Sequence, residues 1–146
     1  SFENVQDINM YDRIIYIGSL YAGTVLGLSK TFKKMKDASH TTMIIVTIGL
    51  SDPFDDQNVS EIDKNISHQI SKEIFQSIKK IFHFRGAMDY RKLSFGHRAM
   101  IKLLYSAIKD KPEDTLTAVD RAIKEAYNKK VDFTNFQELE KIIREM

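Results

Sequence analysis

Two short apolar runs, each closed by a glycine, restrict this chain more than any other feature. Arg13-Ile14-Ile15-Tyr16-Ile17-Gly18 and Thr42-Met43-Ile44-Ile45-Val46-Thr47-Ile48-Gly49 are β-branched and aromatic, and neither alternates with polar residues as a half-solvated strand would. Each predicts a strand buried in a parallel sheet. Lys80-Ile81-Phe82-His83-Phe84-Arg85-Gly86 predicts a third. The segments between them carry helical spacing. Val25, Leu28, Phe32 and Met35 recur with Lys30, Lys33, Lys34 and Lys36 among them, and Ile62, Ile66, Ile70, Ile74 and Ile78 follow the capping-box-like Ser60-Glu61-Ile62-Asp63. Beyond the third strand, Phe95, Met100, Leu103, Leu104 and Ile108 form one stripe and Leu116, Val119, Ile123 and Tyr127 the next. A last short helix is expected near Thr134, with Gln137 at the reciprocal capping position. Strand and helix alternating in this way build an α/β fold, an open, doubly wound parallel sheet with helices on both faces.

Composition narrows the chemistry. At 146 residues the chain suits one domain, read here as 1–146, and its 42% hydrophobic and 29% charged residues are ordinary for a folded protein. The absence of cysteine removes thiolate catalysis, disulfides, iron–sulfur ligation and cysteine-held zinc. A net charge of +2 gives no electrostatic case for nucleic acid. No apolar run approaches the roughly 20 residues that cross a bilayer, and no basic-then-apolar leader opens the chain, so a cytoplasmic location without an integral membrane segment is expected. His40, His68, His83 and His97 are scattered, and the acidic group Asp52, Asp55, Asp56, Glu61 and Asp63 lacks EF-hand spacing, so no metal site is expected. His83, between Phe82 and Phe84, reads as structural. There is no Walker loop, no Gly-x-Ser-x-Gly elbow and no complete Gly-x-Gly-x-x-Gly, which argues against an NTPase, a hydrolase and a nicotinamide domain.

In open α/β sheets ligands bind beyond the carboxyl ends of the strands. The loop Gly18-Ser19-Leu20-Tyr21-Ala22-Gly23 sets a tyrosine between two glycines, where backbone can approach a flat ligand and a ring can cover its face. A tight turn with a packed tyrosine is the plainer reading. Gly49-Leu50-Ser51-Asp52-Pro53 could offer amides and a hydroxyl to a second edge of the same ligand.

The segment from Tyr11-Asp12 through Gly23, Val46-Thr-Ile-Gly-Leu-Ser-Asp-Pro53, Phe82-His-Phe-Arg-Gly-Ala-Met-Asp-Tyr-Arg-Lys-Leu-Ser-Phe95 and Lys129-Lys-Val-Asp-Phe133 together resemble the flavodoxin-like family. The resemblance is to its flavodoxin-domain branch, related to flavodoxin-type protoporphyrinogen dehydrogenases. It implies FMN as cofactor, with Gly18, Ser19, Leu20, Tyr21, Ala22 and Gly23 beside the isoalloxazine, Tyr21 as the stacking residue, and Gly49, Leu50, Ser51 and Asp52 as the other flanking segment. For Arg85 and Gly86 a structural role, holding the loop to Asp89, is favoured. The family's N-terminal strand, phosphate loop, helix and second strand have no counterpart here, so the domain is expected to be partial at its N-terminus, with an exposed apolar strand edge that could support a homodimer. The function implied is electron transfer or flavin-dependent oxidation or reduction of a small molecule. No side chain need act as acid or base. Its partner would be a redox protein or a small-molecule or quinone substrate. The segment Met88–Lys111 could cover the flavin or meet a quinone or membrane surface, against the commoner reading of Phe95, Met100 and Leu104 as core. The alternative function is a flavin-free α/β binding or regulatory module.

Overall fold

The computed structural model describes Asn4 and residues 7–145. They form a mixed α/β fold with a mostly parallel central sheet and divide into two compact units, Ser1–Gly49 with Val59–Phe84 and Leu50–Asn58 with Arg85–Met146.

In the first unit the predicted strands are β1 (Arg13–Tyr21), β3 (Thr42–Gly49) and β4 (Ile78–Arg85), joined by a two-residue β2 (Thr24–Val25) in the order β2-β1-β3-β4. β1 and β3 run parallel, with Arg13 opposite Thr42 and Ser19 opposite Ile48. Met43 to Thr47 are all buried, as a strand covered on both faces requires. Met43 and Ile45 join a cluster with Tyr16 and Val25, closed by Leu28 and Phe32 of α1 (Leu28–Phe32), Ile62 and Ile66 of α2 (Asp56–Gln69) and Ile74 of α3 (Lys72–Gln76).

The elements differ from expectation in three places here. β1 does not stop at Gly18 but continues to Tyr21, because β2 folds back on its end and pairs Leu20 with Val25. α1 is a single turn, since Val25 belongs to β2 and Gly27, at φ 77, sets the helix start. The long isoleucine stripe is three elements: α2 already begins at Asp56, α3 restarts where Ser71 Oγ accepts from the Ile74 amide, and Ile78 opens β4. Ser60 therefore lies inside a helix rather than capping one.

In the second unit β5 (Ala87–Asp89) and β6 (Lys130–Asp132) form an antiparallel ribbon, with α4 (Phe95–Ile108), α5 (Ala118–Ala126) and α6 (Leu139–Ile143). The rings of Tyr105 and Tyr127 stack at 4.0 Å, and Tyr90 meets Tyr127 edge-on at 5.3 Å. α5 starts at a capping box in which Thr117 and Asp120 satisfy each other's backbone amides. It buries Ala118, Ala122 and Ala126; of the expected line Leu116 is buried and Ile123 and Tyr127 half-buried, while Val119 is exposed. Asn135, not Thr134, caps a 3-10 turn at Phe136–Glu138 that leads into α6. α4 departs furthest. Of its predicted stripe only Ile108 is buried, and Phe95, Leu103 and Leu104 face solvent.

Candidate functional site

The carboxyl end of β1 is a hairpin. Gly18, Ser19, Leu20 and Tyr21 are strand residues, and only Ala22 and Gly23 form the turn, at φ 48 and 78. Two successive left-handed residues give a two-residue turn whose twist matches the strands it joins. The hairpin is held from several sides. Thr24 Oγ1 donates to the Tyr21 carbonyl (2.9 Å), the Leu26 amide to the Ser19 carbonyl (3.0 Å), and the Val25 amide to Gln69 Oε1 (3.2 Å).

Gly18 is required by packing. A Cβ there would lie 2.5 Å from Val25 Cγ1 and 2.9 Å from the Tyr16 ring. Gly23 combines its left-handed backbone with a near neighbour, Asn65 Nδ2, which a Cβ would approach to 3.1 Å. Gly49 ends β3 directly beside this hairpin, with Leu20 Cδ1 3.0 Å from where its Cβ would stand. The structure thus joins Gly18–Gly23 and Gly49 into one surface at the carboxyl end of β1 and β3, with Tyr21 exposed on it.

Leu50, Ser51 and Asp52 belong to the second unit, where they form a bend fixed by its own contacts. Arg85 Nε donates to the Leu50 carbonyl (2.8 Å), while the same guanidinium lies over the Phe133 ring at 3.4 Å and pairs with Glu125 at 3.0 Å. Arg85 is therefore structural, as expected, but its grip is on Leu50. The buried Asn58 donates to the Asp52 carbonyl (2.7 Å), and Asp52 Oδ1 accepts from the Phe54 amide (2.9 Å). Asp55 accepts from the Asn58 amide and pairs with Arg121 at 2.8 Å. These carboxylates fix turns and a helix start. Among the described residues no cluster of side chains has the make-up of a metal site.

His83 is the centre of a second polar group. Its Nδ1 lies 2.8 Å from Thr47 Oγ1 and its Nε2 3.2 Å from Asp63 Oδ1. Hydroxyl, imidazole and carboxylate in series resemble a nucleophile relay. Thr47 is fully buried in the middle of β3, so no substrate reaches it and the group is structural. The partners lie far apart in sequence, which is why spacing did not announce them.

A groove of ≈ 560 Å³ runs along β1, lined by Ile14, Ile15, Tyr16, Ile17, Gly18 and Ser19 among others. It marks the side of β1 away from β3, which β2 covers only at Leu20 and Tyr21. An apolar strand edge is open there among the described residues.

The residues suit the ring end of a flavin better than its phosphate end. A part-exposed tyrosine on a glycine-bearing hairpin can border a flat ring. A phosphate needs amides or cations at a helix start, and the start of α2 is occupied by Asp55 and Asp56 instead. No helix among the described residues is long and apolar enough to cross a membrane.

No curated protein and no solved structure matches the chain. The family profile described as "Flavodoxin domain" matches residues 1–115, most of the chain, and with the mostly parallel α/β sheet and a hairpin at the carboxyl end of β1 it establishes that the chain belongs to the flavodoxin-domain family.

Proposed function

We propose that this protein is an FMN-binding, cytoplasmic redox protein that transfers electrons to a partner protein or oxidises or reduces a small molecule such as a quinone. The observation that carries this reading is the β1 hairpin, where Tyr21, Ala22 and Gly23 stand beside Gly49 at the strand ends of a flavodoxin-family sheet. A bound flavin supplies the one- or two-electron chemistry. The chain's own residues bind and orient. Tyr21 would cover a face of the ring and the hairpin backbone would approach its edge. A relation to protoporphyrinogen dehydrogenation belongs to the same proposal and names one candidate substrate.

Quenching of flavin fluorescence on titration with the protein tests it. FMN should bind, and Tyr21→Ala should weaken binding roughly three- to tenfold through lost stacking. Riboflavin should bind about as well as FMN if the ring contacts dominate. Absence of quenching by either flavin would overturn the proposal and favour the flavin-free binding or regulatory module.

A further inference from the structure

α4 is a helix with two apolar sides. Ile101, Tyr105 and Ile108 turn inward, Ile108 being buried. On the opposite side Phe95, Ala99 and Leu103, spaced four apart, form a continuous line that is open to solvent, with Phe95 83% and Leu103 73% exposed. Gly96 on the same side has nothing within 4 Å of where a Cβ would stand. An apolar line this exposed on a helix whose other side already packs inward calls for a partner.

The charges around it say which kind. From Tyr90 to Lys109 the sequence has Arg91, Lys92, Arg98, Lys102 and Lys109 and not one Asp or Glu, in a chain whose whole net charge is only +2. Arg98 and Lys102 flank the outer line one turn apart. Arg91 is paired with Asp89 at 3.8 Å and Lys109 with Asp110 at 3.6 Å, whereas no ion pair engages Arg98 or Lys102 among the described residues. A second copy meeting this face across a two-fold axis would set the same cations against one another. An anionic lipid surface satisfies both features, taking the apolar line into the acyl boundary and the cations among its head groups. At 14 residues the helix is too short to span a bilayer but long enough to lie in its interface.

We infer that α4 is an interfacial anchor that docks the protein reversibly on an anionic membrane through Phe95, Ala99 and Leu103, with Arg98 and Lys102 at the head groups. Docking is independent of flavin and would bring a redox protein to a surface where apolar acceptors concentrate.

The chain contains no tryptophan, so Phe95→Trp makes a sole indole reporter at the exposed start of the helix. Its emission should shift to the blue on addition of phosphatidylcholine vesicles containing phosphatidylglycerol, and stay unchanged with phosphatidylcholine alone. In co-sedimentation the unmodified chain should partition to the anionic vesicles and release as salt rises. Leu103→Ser should weaken partitioning about tenfold, and the pair Arg98→Glu and Lys102→Glu should weaken it at least as much. These positions face solvent, and an unchanged circular dichroism spectrum confirms that the variants fold. Emission unshifted by anionic vesicles, equal binding to both vesicle types, or binding untouched by the substitutions overturns the inference. So does a blue shift already present without vesicles together with a dimer in light scattering, which would make the face a self-association surface.

Discussion

Tyr16 places a phenol at the edge of the buried cluster around β1, where it donates to the Leu26 carbonyl at 2.6 Å. Burial pushes its pKa above the ordinary 10.0, and a contact with Thr31 works the other way. The folded state therefore favours the neutral phenol. Its contribution to stability is whole below pH 10.0 and is lost as pH rises through the higher folded value. Urea unfolding on either side of pH 10.0 should show a loss at alkaline pH that Tyr16→Phe diminishes, while the same substitution costs about 1 kcal/mol at neutral pH through the missing hydrogen bond. Little of this residue-level detail was legible in the sequence. Glycine at position 18 reads as a strand terminator in one dimension, yet it sits mid-strand because Val25 and the Tyr16 ring occupy the space of its side chain. Ala22-Gly23 is not among the usual hairpin dipeptides, so the reversal it makes left no clear mark. Arg85 was recognisable as structural, but the carbonyl it holds lies 35 residues away.

At the scale of elements, the β1–β2 hairpin depends on the absence of one side chain. Gly18→Ala should push β2 away from β1 and destabilise the protein by about 1–3 kcal/mol, measured by urea or thermal unfolding. It should also weaken flavin binding if the hairpin borders the ring, whereas Gly96→Ala, in open space on α4, should leave the fold intact. The three main strands were legible because a wholly apolar β-branched run has few other uses. The helices were less so. Periodicity found each amphipathic segment but not its ends, since the acidic start of α2, the break at Ser71 and the box at Thr117 are settled by side-chain bonds to backbone. Nor does periodicity say which apolar side is covered. In α5 a stripe of alanines goes inward, and in α4 much of the apolar surface stays out. The three-residue strands β5 and β6 are too short to alternate detectably.

For the whole molecule, the open edge of β1 matters most. Among the described residues its outer side from Arg13 to Gly18 meets a groove rather than a strand, and Ile17 there is 58% exposed. An apolar strand edge left uncovered is a template for another strand. Ile17→Lys should therefore slow concentration-dependent aggregation, followed by light scattering, while changing stability by no more than about 0.5 kcal/mol, as for other exposed positions. The family and the α/β class could be read from the order of segments along the chain. The polar links that set the candidate site could not, because they join residues distant in sequence.

The bond between Thr47 and His83 has a consequence for alignment. β3 and β4 are both rich in apolar side chains, so packing alone would tolerate a slip of two residues along the strands, which keeps the same faces inward. A single hydroxyl in a dry strand, bonded to an imidazole on its neighbour, tolerates none, since any such slip would part the fully buried hydroxyl of Thr47 from its partner. The pair works as a vernier for β4 on β3: two marks that coincide in one setting only.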